Sequence, residues 1–169
     1  MGRRRLSEVG CPTPYAIEYG GAFSFPTPPD DVWSGIEHLE RFETWWSWLR
    51  EFCVEGPGLE AGTVLRGVVI PPLPYRMRIR VALLECVRPR RIEAAVHGDL
   101  EGHARLVLEP QGDGTRVDVT WTIEMMQLPM RVAARLAPRL LRWGHDRVVE
   151  STVASFRSRL RDVRRDEDQ

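Results

Sequence analysis

His145, followed in the chain by Asp146, is the residue best suited to chemistry. An imidazole changes charge near neutral pH and can exchange a proton or a hydrogen bond with a bound molecule. The sequence places no second acid or base beside it to complete a catalytic set. The roles open to His145 therefore run from a satisfied core histidine, through a ligand contact, to a weak catalytic candidate. A second constellation is His97-Gly-Asp99-Leu-Glu101-Gly-His103. Every second residue is a possible metal ligand, and on one unbroken strand all four would share a face. Gly98 and Gly102 bracket a turn that would splay them, so no metal is expected. The third group is aromatic. Trp45, Trp46 and Trp48 fall within four residues, and at most two of them can point the same way on a helix. Such rings combine apolar area with an N–H, which suits the mouth of a cavity, and equally suits packing of short helices onto a sheet.

Other chemistry is missing from the sequence. There is no nucleophile–histidine–acid order, phosphate loop or dinucleotide fingerprint, so no cofactor is expected. Cys11, Cys53 and Cys86 form no CxxC pair, which argues against a zinc site or disulfide framework and for a reduced cytosolic setting. Cys53 and Cys86 lie in strand-like runs and read as core thiols. The 24 basic residues, all arginine, balance 24 acidic ones. That balance gives no global signal for nucleic acid, and no apolar run is long enough to span a bilayer. The charge is uneven, however: Gln127–Arg165 holds ten arginines and three acids. Arg131, Arg135, Arg139 and Arg142 could form a solvated face or meet a partner or anionic head group.

The elements that must position these residues follow from periodicity. The 169 residues fit one domain. Residues 1–14 read as lacking fixed structure, 15–162 as the domain and 163–169 as a frayed tail. Tyr15–Phe25 is a strand ended by prolines. Asp30 or Asp31 is positioned to cap a short helix, and a second short helix spans the tryptophan cluster. Strands are predicted at Phe52–Glu55 and Thr63–Ile70. Then Tyr75, Met77, Ile79, Val81 and Leu83 alternate with Arg76, Arg78 and Arg80, as in a half-buried antiparallel strand. Ile92, Ala94 and Val96, then Ala104, Leu106 and Leu108, then Val117, Val119, Trp121, Ile123 and Met125 face inward on three more strands. Gly98–Gly102 and Gln111–Gly114 are turns. Pro138 separates a short helix near 130–136 from a long one over about 138–162, with Leu141, His145, Val149, Thr152, Phe156, Leu160 and Val163 on one stripe. The fold class is therefore α+β: a curved antiparallel sheet whose apolar face is covered by the last helix.

In this order, Phe25-Pro-Thr-Pro-Pro-Asp-Asp-Val-Trp33, Arg41–Trp48, Gly98–Gly102 with Leu108–Val117, and Trp143-Gly-His-Asp146 resemble the START-like (helix-grip, SRPBCC) superfamily, in its polyketide cyclase/dehydrase branch. The resemblance covers residues 16–162. It implies a seven-stranded sheet around the last helix, two short helices after the first strand and an internal cavity for apolar ligands. It also implies that the cavity arginine of the superfamily's aromatase/cyclases would fall on Cys86 or Val87, which favours binding over cyclisation. Arg66 is left ambiguous, because its strand does not alternate cleanly. The expected partner is a hydrophobic small molecule, lipid-like or polyketide-like. The expected lining is Met77, Ile79, Trp121, Ile123, His145, Val149 and Thr152, with Trp46 at the mouth. A cyclase or dehydratase, and a partner-binding module without a ligand, are the alternatives.

Overall fold

The computed structural model describes residues 15–167. Seven strands form one antiparallel sheet in the order β1-β7-β6-β5-β4-β3-β2: β1 Ala16–Phe25, β2 Leu49–Glu55, β3 Val64–Val69, β4 Met77–Val87, β5 Arg91–Gly98, β6 Leu100–Gln111 and β7 Gly114–Met125. Between β1 and β2 lie α1 (Pro29–Glu37), a 3-10 turn (Leu39–Arg41) and α2 (Phe42–Trp45). After β7 come α3 (Leu128–Leu136) and α4 (Pro138–Glu167).

The alternation in β4 holds: Met77 and Leu83 are buried while Arg76, Arg78 and Arg80 are exposed. A bulge between Leu83 and Glu85 shifts the phase, so Cys86 also turns inward and packs on the core. Arg66 is exposed and pairs with Glu55 at 3.1 Å. Cys53 is exposed as well, contrary to expectation. It follows an irregularity between Arg50 and Cys53 in which Glu51 has φ 53°.

Three local expectations need correction. Pro29, not an aspartate, opens α1, and Asp30 and Asp31 stand in its first turn without capping it. Carboxylates there still favour the positive end of the helix. The Gly98–Gly102 turn is tighter than expected, because β6 already begins at Leu100. Gly98 adopts φ 113°, where a Cβ would sit 2.5 Å from the Arg78 carbonyl oxygen, and the Asp99 carboxylate accepts the Arg78 N–H at 2.6 Å. The long helix runs past 162 to Glu167. The expectation for residues 1–14 lies outside the described residues. Pro138 does open α4, where its missing N–H costs nothing.

α4 is held close to its neighbours at two glycines. A Cβ on Gly35 of α1 would come within 2.9 Å of Leu160 Cδ2 and 3.1 Å of Phe156 Cζ. A Cβ on Gly144 of α4 would lie 2.6 Å from Leu73 Cδ1, in the proline loop after β3. Two apolar clusters fill the concave face. One joins Phe25, Val32, Trp33, Leu83, Ile92, Leu108, Val117, Phe156 and Leu160; the other joins Val69, Met77, Val96, Leu100, Met125, Met130 and Leu141.

Candidate functional site

Between the two clusters the sheet and α4 diverge, leaving a cavity of about 400 Å³. Its sheet wall is Phe23 and Phe25 of β1, Leu106 of β6, and Val117, Val119 and Trp121 of β7. Its helix wall is His145, Val148, Val149, Thr152, Val153 and Phe156 of α4. Val32, Ile36, Phe42, Trp46 and Trp48 complete it from the α1–β2 segment.

Of the expected lining, Trp46, Trp121, His145, Val149 and Thr152 stand on this cavity. Met77, Ile79 and Ile123 do not. They point to the concave side as predicted but pack in the second cluster, where Met130, Ala133 and Ala134 of α3 close the end of the sheet. Trp45 also turns away, meeting Phe42 and the edge of Phe156 at ring-centroid distances of 6.0 and 6.2 Å. Trp48, outside the expected lining, stacks on Trp46 at 5.4 Å with planes 10° apart, and both line the space.

A group of three rings separates the cavity from the filled end. Tyr19 stacks on Trp121 at 4.3 Å, and His145 stands edge-on to both, at 5.1 Å and 5.3 Å. Each belongs to a different element, and each comes between a residue of the filled end and one of the cavity: Ile17 and Phe23 flank Tyr19, Ile123 and Val119 flank Trp121, Leu141 and Val149 flank His145. Burial, followed by the nearby Asp146 carboxylate, pushes the Tyr19 phenol above its ordinary range, so it remains a protonated donor at neutral pH.

The polar inventory of the wall is short. Asp146, which the sequence did not pair with its neighbour, places Oδ1 3.0 Å from His145 Nδ1. A carboxylate only accepts, so the imidazole proton lies on Nδ1 and a neutral ring presents its lone pair at Nε2. That Nε2 is buried and has no hydrogen-bond partner among the described residues. The same is true of Nε1 in Trp46, Trp48 and Trp121. Thr152 donates its hydroxyl to the Val148 carbonyl at 2.7 Å, which leaves it able only to accept. These ring nitrogens are covered by neighbouring atoms, so the surface turned to the space is almost entirely hydrocarbon. No arginine lines it, and the position expected for a cyclase arginine is occupied by half-buried Cys86 and exposed Val87.

In the His97–His103 run the turn splays the four side chains. His97 Nδ1 pairs with Glu101 at 2.9 Å, and no group of three metal-ligating side chains occurs among the described residues.

A family model described as polyketide cyclase / dehydrase and lipid transport matches residues 21–161, the stretch that builds the sheet, the cavity and most of α4. The chain belongs to this family. No curated protein matches it. Among solved structures, TTHA0849 from Thermus thermophilus is similar with a TM-score of 0.71 and 21% identity, over 87% of this chain and 99% of that one. The Zhui aromatase/cyclase from Streptomyces sp. R1128 is similar with a TM-score of 0.66 and 12% identity, over 86% and 94%. Ara h 8.0201 gives 0.60 and 13%, over 87% and 99%. At these identities the likeness is one of fold: the helix-grip architecture is common to proteins named as cyclases and to others.

Proposed function

We propose that this family member binds a hydrophobic small molecule, lipid-like or polyketide-like, in the cavity between the sheet and α4. The observation that carries the reading is an almost wholly hydrocarbon wall around a space that the protein's own side chains do not fill. Burying apolar surface contributes about 25 cal/mol per Å², so such a wall gains most from a guest of matching apolar surface. The volume of about 400 Å³ falls in the usual range for small-molecule sites.

A second reading, cyclisation or dehydration of a bound polyketide, is favoured by one feature. The Asp146 carboxylate holds His145 Nδ1, the arrangement by which an imidazole takes up a proton at its other nitrogen. The lack of an arginine on the wall favours binding without chemistry.

The probe for the binding reading is 1-anilinonaphthalene-8-sulfonate, which pairs fused rings with an oxygen anion. The wild type should bind it with one-to-one stoichiometry and show energy transfer from tryptophan. The double variant Val119→Phe/Val149→Phe, which puts two rings into the cavity, should lose that binding while keeping a cooperative thermal transition. Equal affinity in a folded double variant would locate the probe elsewhere and remove the support for the cavity.

A further inference from the structure

Large apolar side chains exposed at the surface are not scattered over this molecule. Of eight such residues among those described, six fall between 126 and 143: Met126, Leu128, Val132, Leu136, Leu140 and Trp143. Leu136 is 81% exposed and Leu128 72%. Leu128, Val132 and Leu136 recur every fourth residue and form one stripe along α3; Leu140 and Trp143 follow, three apart, on the first turns of α4 after the break at Ala137. The opposite side of α3 is buried, with Met130, Ala133 and Ala134 packed in the filled end of the core. The helix is therefore seated by one apolar face and presents a second to solvent.

The charge along the stripe has one sign. Residues 128–143 contain Arg131, Arg135, Arg139 and Arg142 and no acid. Arg131 is tied to Glu124 and to the Met125 carbonyl, but Arg135, Arg139 and Arg142 make no ion pair among the described residues. Tyr15 lies beneath Arg131 and Arg135, with guanidinium-to-ring distances of 5.0 and 5.2 Å, so an aromatic ring also stands at this edge.

We propose that α3 and the start of α4 form a docking surface for an anionic lipid bilayer. Leucines and a tryptophan flanked by arginines match the interface between acyl chains and anionic head groups. Charge decides against the obvious rival, a second copy of the chain. Apposing two such stripes would bring unpaired arginines together with no carboxylate between them. No helix among the described residues is long and apolar enough to cross a membrane, so the contact is a peripheral one. The surface borders a groove of about 280 Å³ lined by Tyr15, Pro138, Leu141 and Arg142, with the carboxylates Glu18 and Asp146 at its inner end, that reaches the outer side of His145. Docking would thus set the ring wall of the cavity close to the bilayer. This inference does not depend on what the cavity holds.

The test is co-sedimentation of the full chain with vesicles of phosphatidylcholine alone, and of phosphatidylcholine and phosphatidylglycerol in equal parts. Binding should require the anionic lipid and weaken as salt is raised. Leu136→Ser/Leu140→Ser, both at exposed positions, should fold normally and bind about tenfold or more weakly. Arg135→Gln and Arg139→Gln should each weaken binding about fivefold at low salt. Val119→Phe/Val149→Phe should sediment like the wild type, which separates failure here from failure of the cavity reading. Equal binding to both vesicle types, no binding to either, or wild-type binding by the leucine double variant would overturn the proposal. So would a dimer in sedimentation velocity that the leucine double variant dissociates, since the stripe would then be covered by a second copy.

Discussion

Two adjoining stretches of the same concave face are built from the same sheet and the same helix, yet one is filled and the other hollow. The filled stretch contains Met77, Met125 and Met130, three of the five methionines in the chain. No methionine lines the cavity, whose wall, apart from Leu106 and His145, is made of phenylalanines, tryptophans and β-branched residues. Methionine is unbranched and bends into irregular gaps, whereas aromatic and β-branched side chains have few rotamers and hold their shape. The filled stretch also receives α3, while the hollow one is bridged only by α4 and the short elements before β2. Rigid walls and a missing third layer keep a space open that softer side chains would close.

The largest expected effect tests this difference directly. Leu141→Ala, in the filled stretch, should lower stability by about 2–5 kcal/mol in urea unfolding, because the hole it leaves has no room to relax. Val149→Ala, one helical segment along but on the cavity wall, should cost under about 1 kcal/mol, since it enlarges a space already present. Similar losses at the two sites would erase the distinction.

A smaller effect concerns the polarity of the hollow stretch. His145→Phe keeps a ring in the wall but removes the Nε2 acceptor. Affinity for 2-naphthol, whose hydroxyl can donate, should fall by about 0.5–1.5 kcal/mol relative to naphthalene, which has no hydroxyl. If calorimetry finds the two probes equally affected, His145 is wall and nothing more.

The smallest effect is one of pH, at the outer rim of the first cluster. Glu37 accepts the buried Trp33 Nε1–H at 2.9 Å and is hydrogen-bonded by Arg88. Arg88 first, and Trp33 after it, hold the Glu37 carboxyl below the usual glutamate range. A depressed folded pKa means the stabilisation is complete above the ordinary glutamate value and is lost as pH falls through the lower folded value. Glu37→Gln keeps an acceptor for Trp33 but cannot titrate, so its melting temperature should fall less steeply with acid than that of the wild type. Because Glu37 is 39% exposed, the difference should be small. Parallel acid limbs would show that the pair contributes nothing.

The sheet and the long helix are legible in the sequence because period-two and stripe patterns depend only on the local chain. Arg76, Arg78 and Arg80 facing Met77 and Ile79 across β4 settle which side is wet, and Pro138 settles where α4 begins. The position of the hollow is not legible, because alternation gives the face of a strand and not its place along the concavity. Met77, Ile79 and Ile123 stand on the expected face but belong to the end that α3 plugs. Phe23, Phe25, Leu106, Val117 and Val119 lie on inward faces too, and their patterns are no different. Val148 and Val153 fall beside the main helical stripe and face the cavity because its wall covers a wider arc of α4 than the stripe does. Trp48 lies past the end of α2, where the chain has already turned toward β2. The link from Asp146 to His145 depends on a side-chain rotamer, which spacing does not report.

The close contacts at Gly35 and Gly144 have a mechanical meaning. They clamp α4 near Phe156–Leu160 and at residue 144, with the stretch that forms the cavity roof between them. A rod of this length held at two points bends little between its clamps. The other side of the space is a three-residue turn, a four-residue helix and two stacked indoles, held by far fewer backbone bonds. The long helix is thus the fixed frame of the space, and the Leu39–Trp48 segment, pinned by buried Leu39 and Phe42, is its more lightly built side.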